Sequence, residues 1–384
     1  MALRDDALNV LQELEAKGRI RSRRTFTGPM RQALELDGRH VHNFSANDYL
    51  GLAGDPRLAA AVSETIAHAG TGAGSSRLIM GPQAHEQLEV ALGRWLRAPR
   101  VQLFNSGYAA NVGVLSTLAG RGSCVFSDEL NHASIIDGCR LSRANVVVYR
   151  HGDLEDLRAK LARDSSERRL VVSETLFSMD GDVADVVGLA QVAREADAAL
   201  VLDEAHAVGV IGPGGRGVAA EHGVTPDVLV GTLGKAFGSF GAFVAAEEVV
   251  IRWLWNRARS LVYSTGLPAL MSGAGLRALE IIEGPEGDSL RAQVRANLTR
   301  FSQAFGQDVE SHIVPWLVGD DAEAVRVSER VLTRGVFVQA IRPPTVAEGS
   351  ARLRIAIGTH PPEAMDALIA ALRAEQAPVG PRLG

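Results

Sequence analysis

Between residues 100 and 246 the chain repeats one texture. Short β-rich apolar runs, VQLF (101–104), CVFS (124–127), VVVY (146–149), LVVSE (170–174), ALVLDE (199–204), DVLVG (227–231) and AFVAA (242–246), are separated mostly by helical stretches. Leu154, Leu157 and Leu161 fall at helical spacing, as do Val186, Leu189, Ala190 and Ala193. Near-continuous apolar strands alternating with helices predict an α/β fold with a mostly parallel central sheet and helices on both faces. In such sheets ligands bind at the carboxyl ends of the strands.

The flanks are patterned differently. Leu3, Ala7, Val10 and Leu14 share one face of an N-terminal amphipathic helix expected to pack on the body. ALELDGRHVHNFS (33–45) alternates and turns like a hairpin, Asp55-Pro56 opens a helix to about residue 69, and a glycine-rich loop, GTGAGSSRLIMG (70–81), precedes a helix at about 83–97. Beyond the sheet, helices are expected at about 247–257 and 268–306, strands near 313–318, 336–340 and 351–357, and a helix at about 361–373 before a frayed tail, APVGPRLG. The organisation predicted is an N-terminal helix and hairpin arm (1–45), a large domain (46–280) and a small C-terminal α/β domain (281–384).

Composition narrows the class. Forty basic against forty-five acidic residues, a formal net charge of −5, argue against a protein that grips nucleic acid. The two cysteines, Cys124 and Cys139, form no CxxC or metal-like cluster, so a reducing compartment and no metal are expected. No run of eighteen apolar residues occurs and the charged start lacks a signal-peptide core, which points to a cytoplasmic protein with no membrane partner. The forty glycines imply many tight turns and close approaches of backbone to a ligand.

Candidate chemistry begins at LVLDEAHAVGVIG (200–212). Asp203–His206 spell the DEAH of a helicase, but the phosphate loop G-x-x-x-x-G-K-S/T is missing. In GTLGKAFGS, Gly231 and Gly234 are too close together and Lys235 is followed by Ala236; GPGGRG (212–217) does not open directly from the first strand of a βαβ unit. A different chemistry fits. Lys235 lies in a loop just past a buried strand, flanked by Gly234 and Gly238, where desolvation makes a lysine nucleophilic toward an aldehyde. Asp203 ends the preceding strand, where a carboxylate can keep a heterocyclic nitrogen protonated, and His206 lies between the two in sequence. A Schiff-base lysine with an aspartate for a pyridinium nitrogen is the signature of pyridoxal 5′-phosphate (PLP) chemistry.

NDYLGL (47–52), SGYAAN (106–111), DELNHASIIDG (128–138), SETLFSMDGD (173–182), LVLDEAHAVGVIGPGGRG (200–217) and GTLGKAFGS (231–239) resemble, in order and over almost the whole chain, the α-oxoamine synthases, fold-type I PLP-dependent acyl transferases. The resemblance implies that Lys235 binds the cofactor and later moves the substrate α-proton. It implies that Asp203 pairs with the pyridinium nitrogen, that His206 bonds the ring oxygen, and that His132 stacks over the ring. It places the phosphate on the backbone of Gly107 and Tyr108, on Thr232, and on Thr265 from the second subunit of a homodimer, with Ser178 in the same shell.

IRPPTV followed by ARLR within residues 340–361, and RSLVYSTGLP (259–268), resemble the branch that joins L-alanine to a pimeloyl thioester (the CoA or acyl carrier protein ester) to give 8-amino-7-oxononanoate for biotin. On that resemblance Arg354, helped by Asn47, takes the amino acid carboxylate, and Arg342, Thr345 and Arg21 line the acyl site. A branch using glycine or serine, and a non-catalytic partner subunit of the same fold, stay open at this point.

Overall fold

The seven apolar runs pair into one sheet because each is hydrophobic on both faces. In the computed structural model, which describes residues 3–375, the spatial order is Arg100–Phe104, Ala242–Ala246, Val228–Thr232, Ala199–Asp203, Arg168–Glu174, Ser123–Asp128 and Asn145–Tyr149. The last five run parallel, and Ala242–Ala246 is antiparallel to both of its neighbours. Leu170 and Val172 join Val125, Val201 and Val230 in a core closed by Ala110, Val114 and Leu118 of the helix Gly107–Leu118. Val171, pointing the opposite way, is just as buried. Burial of both faces explains why these strands are uniformly apolar instead of alternating.

The register decides where chemistry can sit. Glu174 lies opposite Asp203, and Asp203 opposite Val230, so the parallel strands bring both carboxylates to one edge of the sheet. The strand Val228–Thr232 delivers the loop that carries Lys235 to the same edge.

Contacts divide the chain into two units. One, Asn47–Ser178 and Asp182–Ala292, contains the whole seven-stranded sheet; the other takes in the chain up to Ala46, Met179–Gly181 and the chain from Gln293 onward. In this second unit the strands Ile313–Gly319, Ala351–Ala356 and Ala340–Ile341 form a sheet over Phe301, Trp316, Val327, Leu353 and Leu368. The hairpin Ala33–Leu36 and Arg39–Asn43 pairs with Val336–Phe337 in another.

Three expectations change. The helix expected over 268–306 is two, Ala269–Glu283 and Pro285–Phe305. Gly284 between them is extended (φ −83°, ψ 176°), because a following proline drives its neighbour out of the helical region. The strand expected at 336–340 divides between two sheets: Val336–Phe337 pairs with Arg39–Asn43 and Ala340–Ile341 with Ala351–Ala356. At the change-over the Gln339 amide donates to Ser45 Oγ at 2.8 Å in place of a ladder partner. The N-terminal helix Leu3–Ala16 forms but buries none of its residues, so its apolar stripe does not pack as expected. Side-chain anchoring begins only beyond it, where Arg19 pairs with Asp321 at 2.7 Å. The expected tail, APVGPRLG, lies outside the described residues.

Candidate active site

The carboxyl edge of the large sheet gathers polar side chains that a water-poor interior would otherwise reject. Lys235 is half-buried, and its Nζ lies 2.7 Å from His206 Nε2. The other ring nitrogen of His206 lies 2.6 Å from the Tyr49 hydroxyl, which also donates to Asn47 Oδ1 at 3.0 Å. Tyr49 and His206 are both buried. Four residues from NDYLGL, DEAH and GTLGK thus form one hydrogen-bonded chain.

Asp203 is held from two sides. Asn111 Nδ2 donates to its Oδ2 at 2.6 Å, and the Ala205 amide to its Oδ1 at 2.8 Å. Asn111 also donates to Ser134 Oγ at 2.9 Å, which fastens the start of the helix Ala133–Ser142 to the strand end. His132 caps that helix, its Nδ1 accepting from the Ser134 amide at 3.2 Å. Desolvation lowers the His132 pKa; Asp203 opposes this and Lys235 reinforces it. An exposed but neutral imidazole beside both charged groups can lie over a flat ligand without adding charge.

Glu174, one strand over, is buried, and its Oε1 is left without a hydrogen-bond partner. Burial and then the nearby Asp203 push its pKa up to about 8, so Glu174 is mostly protonated at neutral pH.

Two of the phosphate candidates, Gly107 and Tyr108, open a helix. Ser106 caps Gly107–Leu118 by accepting from the Ala109 amide at 3.1 Å, leaving the amides of Gly107 and Tyr108 in the first turn. A methyl group added at Gly107 would meet nothing within 4 Å, so the backbone there borders open space. The Tyr108 side chain is exposed and its hydroxyl donates to Asp137. Thr232 Oγ1 donates to the Gly241 carbonyl at 3.1 Å and accepts from the Gly234 amide, at the root of the Lys235 loop. Ser178 is buried at the end of a stretch of the same unit.

Thr265 is exposed, with φ at +57°. A β-branched residue is rare in this left-handed region, and strain of this sort collects at functional sites. It is held there from both sides. Asn105 Nδ2 donates to the carbonyls of Ser264 and Thr265 at 3.1 and 2.9 Å, the Gly266 amide donates to Ser75 O at 2.9 Å, and His85 Nε2 bonds Leu267 O at 2.7 Å.

The acyl-site candidates belong to the other unit. Arg21 Nη2 donates to Thr345 Oγ1 at 3.4 Å, and Arg342 donates to the carbonyls of Gly18 and Ile20. Arg354 is buried on Ala351–Ala356 in that unit, whereas Asn47 belongs to the large one.

DEAH has a structural second letter. Glu204 is fully buried and accepts from Thr175 Oγ1 and from the amides of Val218 and Ala219 at 2.8, 3.0 and 2.7 Å. It pins the turn after GPGGRG, where Gly217 (φ +100°) leaves no room for a side chain against the carboxylate. Both carboxylates of the motif are engaged by the fold, as the helicase reading does not require.

Tyr49, Asn111 and Glu174 were not singled out from sequence. Asn111 and Tyr49 lie inside quoted motifs, and Glu174 ends a strand as Asp203 does. A compositional signal was also available: the chain has three lysines, Lys17, Lys160 and Lys235, amid thirty-seven arginines. Lys160 pairs with Asp156 at 2.6 Å on the helix Leu154–Leu161, and Lys17 follows the N-terminal helix. Lys235 is the one lysine among buried polar groups, in a role that an always-charged guanidinium cannot fill.

Comparisons place the geometry. The aminotransferase class I and II family model matches residues 39–372. The 8-amino-7-oxononanoate synthase of Geotalea daltonii is 43% identical over 386 residues, covering 97% of each chain. That of Nitrosococcus oceani is 45% identical, covering 90% of this chain and 94% of the relative. A solved serine palmitoyltransferase from S. paucimobilis with bound PLP-myriocin aldimine superposes with a TM-score of 0.89 at 29% identity, covering 96% of this chain and 97% of that one. The chain belongs to the aminotransferase class I and II family and, within it, to the α-oxoamine synthases, most like the 8-amino-7-oxononanoate synthases.

Proposed function

We infer that the protein is a PLP-dependent acyl transferase that condenses L-alanine with a pimeloyl thioester, releasing carbon dioxide, the free thiol and 8-amino-7-oxononanoate, a step in biotin biosynthesis. The observation that carries this reading is Lys235 Nζ at 2.7 Å from His206 Nε2, in the loop that follows the strand next to the one ending in Asp203. The donor set fits PLP: an amine for its aldehyde, a carboxylate for its ring nitrogen, and first-turn amides for its phosphate. PLP, when bound, supplies the electron sink that makes the amino acid α-carbon acidic and lets the carboxylate leave.

The chain's residues do the rest. Lys235 anchors the cofactor, then takes the α-proton and later returns a proton to carbon. Asp203, oriented by Asn111 and the Ala205 amide, holds the ring nitrogen in its protonated form. His206 would bond the ring oxygen, and His132 would stack over the ring and steer the substrate. Gly107, Tyr108 and Thr232 hold the phosphate, joined by Thr265 from a second copy of the chain, so the working enzyme is a homodimer; Ser178 completes the shell. Arg354 and Asn47 bind the alanine carboxylate. Arg21, Thr345 and Arg342 receive the far end of the pimeloyl chain, whose second polar terminus suits guanidinium and hydroxyl donors. The thioester is carried by CoA or by acyl carrier protein. Among the described residues no helix is long and apolar enough to cross a membrane.

A second reading, serine in place of alanine, draws on the likeness to serine palmitoyltransferase. The higher identity to the oxononanoate synthases favours alanine. The test is the visible absorbance of the PLP-loaded protein as L-alanine, glycine and L-serine are added separately. Perturbation by alanine at the lowest concentration supports the reading; a response selective for glycine or serine overturns the branch.

A further inference from the structure

Thr265 adopts a backbone conformation that a β-branched residue does not favour, so its surroundings must hold it there. Three residues from three elements do so. Asn105, directly after the strand Arg100–Phe104, donates to the carbonyls of Ser264 and Thr265. Ser75, in the glycine-rich loop, accepts from the Gly266 amide. His85, in the first turn of the helix Gln83–Leu96, bonds the Leu267 carbonyl.

The histidine is the most informative of the three. It is fully buried, and burial, with Arg77 nearby, lowers its pKa to about 4, so the ring is neutral. A carbonyl only accepts, so the single ring hydrogen sits on Nε2 and is donated to Leu267 O at 2.7 Å. Nδ1 is then an acceptor, and it has no hydrogen-bond partner among the described residues. A buried acceptor left unpaired is costly, and a leucine would fill the position without that cost. A leucine could not donate to Leu267 O.

The framework behind this bond is rigid. Glu89, one turn further along the same helix, pairs with Arg77 of the glycine-rich loop. It also accepts from the Leu103 amide at 2.8 Å and from Gln102 Nε2 at 3.1 Å. Arg77, Glu89 and Gln102 are all buried. One carboxylate thus ties together the helix that carries His85, the loop that carries Ser75 and the strand that leads to Asn105. A Cβ at Gly266 would meet Arg77 Cγ at 3.3 Å and Ser75 O at 3.4 Å, so the Thr265 segment lies close against this framework.

We propose that His85 is a positioning residue for phosphate binding: its bond to Leu267 O holds Ser264–Leu267 in place, and with it the left-handed backbone from which Thr265 offers its hydroxyl. The proposal rests on the reading of Thr265 as a ligand of the PLP phosphate. His85 is buried and acts through Thr265, not on the cofactor itself.

The test compares PLP with pyridoxal, which has the same ring and aldehyde but no phosphate. The dissociation constant of each is measured on the purified full chain from the visible band that forms on capture by Lys235. Thr265→Val, which keeps the shape and loses the hydroxyl, is expected to weaken PLP about tenfold and leave pyridoxal unchanged. His85→Leu is expected to weaken PLP about fivefold, again with pyridoxal unchanged, and His85→Gln, which restores an N–H donor, to recover most of that loss. The double variant His85→Leu with Thr265→Val should bind PLP no more weakly than Thr265→Val alone. If His85→Leu does not fold, Asn105→Ala, which removes the other two side-chain bonds to the segment, takes its place with the same expectations. Equal losses for PLP and pyridoxal, no loss at all, a glutamine variant as weak as the leucine one, or losses that multiply in the double variant overturn the proposal. An effect at Thr265 alone overturns the proposal and leaves the phosphate reading standing. Thr265→Val without effect on PLP overturns that reading, and the proposal falls with it whatever His85→Leu does.

Discussion

The strand-end cluster of the large unit and the arginine group of the second unit hold their polar residues in opposite ways. In the first, Lys235, His206, Tyr49 and Asp203 are buried or half-buried; bonds of 2.6 and 2.7 Å join Tyr49, His206 and Lys235, and Asn111 holds Asp203 at 2.6 Å. In the second, Arg21 and Thr345 meet at 3.4 Å in an exposed contact, and Arg342 is tied to backbone carbonyls. Arg354 is intermediate: it belongs to the second unit but is buried on a central strand. Buried, mutually fixed groups suit bond-making, where a small displacement is costly. Exposed, loosely paired groups suit grading a substrate's length and terminus. On that contrast, substitutions in the first region are expected to remove the reaction, and those in the second to retune substrate affinity.

The largest effect is expected at Lys235. Lys235→Ala should abolish the visible band of bound PLP and lower turnover by about 10³-fold or more, as measured by spectroscopy and product formation. Next is Asp203→Asn, which keeps the shape but loses the charge proposed to hold the ring nitrogen protonated; turnover should fall by about 10²-fold with PLP still bound. Arg354→Ala should raise KM for L-alanine about 10–100-fold, the equivalent of one charge-assisted bond, with a smaller change in KM for the thioester.

A cluster in the large unit serves as a control. His151 bonds Asp128 at 2.8 Å and Asp182 at 2.9 Å. Burial alone would lower its pKa, but the two carboxylates outweigh that and raise it to about 10. Its stabilising effect is therefore complete below the unfolded histidine pKa of about 6.5 and is lost as pH rises through about 10. His151→Ala should cost about 1.5–3 kcal/mol near pH 6 and much less near pH 10.5, as read by denaturant midpoints, with the PLP band intact. The smallest effect is expected at Arg21. Arg21→Ala should raise KM for the pimeloyl thioester by about 2–5-fold and leave alanine binding unchanged, as befits an exposed contact.

The two regions also differ in how far they could be read from sequence. The large sheet was legible because strands buried on both faces are written as apolar runs, and its chemistry because Asp203 and Lys235 follow such runs directly. Glu174 ends a run in the same way but looks like any charged residue after a strand; only its register opposite Asp203 gives it meaning. Tyr49 was hidden because its partner is 157 residues away. In the second unit the interrupted pairing at 336–341 could not be seen, since a strand that changes sheets keeps one apolar pattern throughout. The unpacked N-terminal helix shows that an amphipathic stripe predicts helix formation but does not name what the stripe packs against.

The most direct test is to reduce the PLP-loaded protein with borohydride and map the modified peptide by mass spectrometry. With only three lysines in the chain, the answer is close to binary. The cofactor mass on Lys235, absent from Lys17 and Lys160, is the predicted result. Modification of Lys17 or Lys160 in its place, or a protein that retains no PLP after reduction, would contradict the assignment of Lys235 as the residue on which the reaction is built.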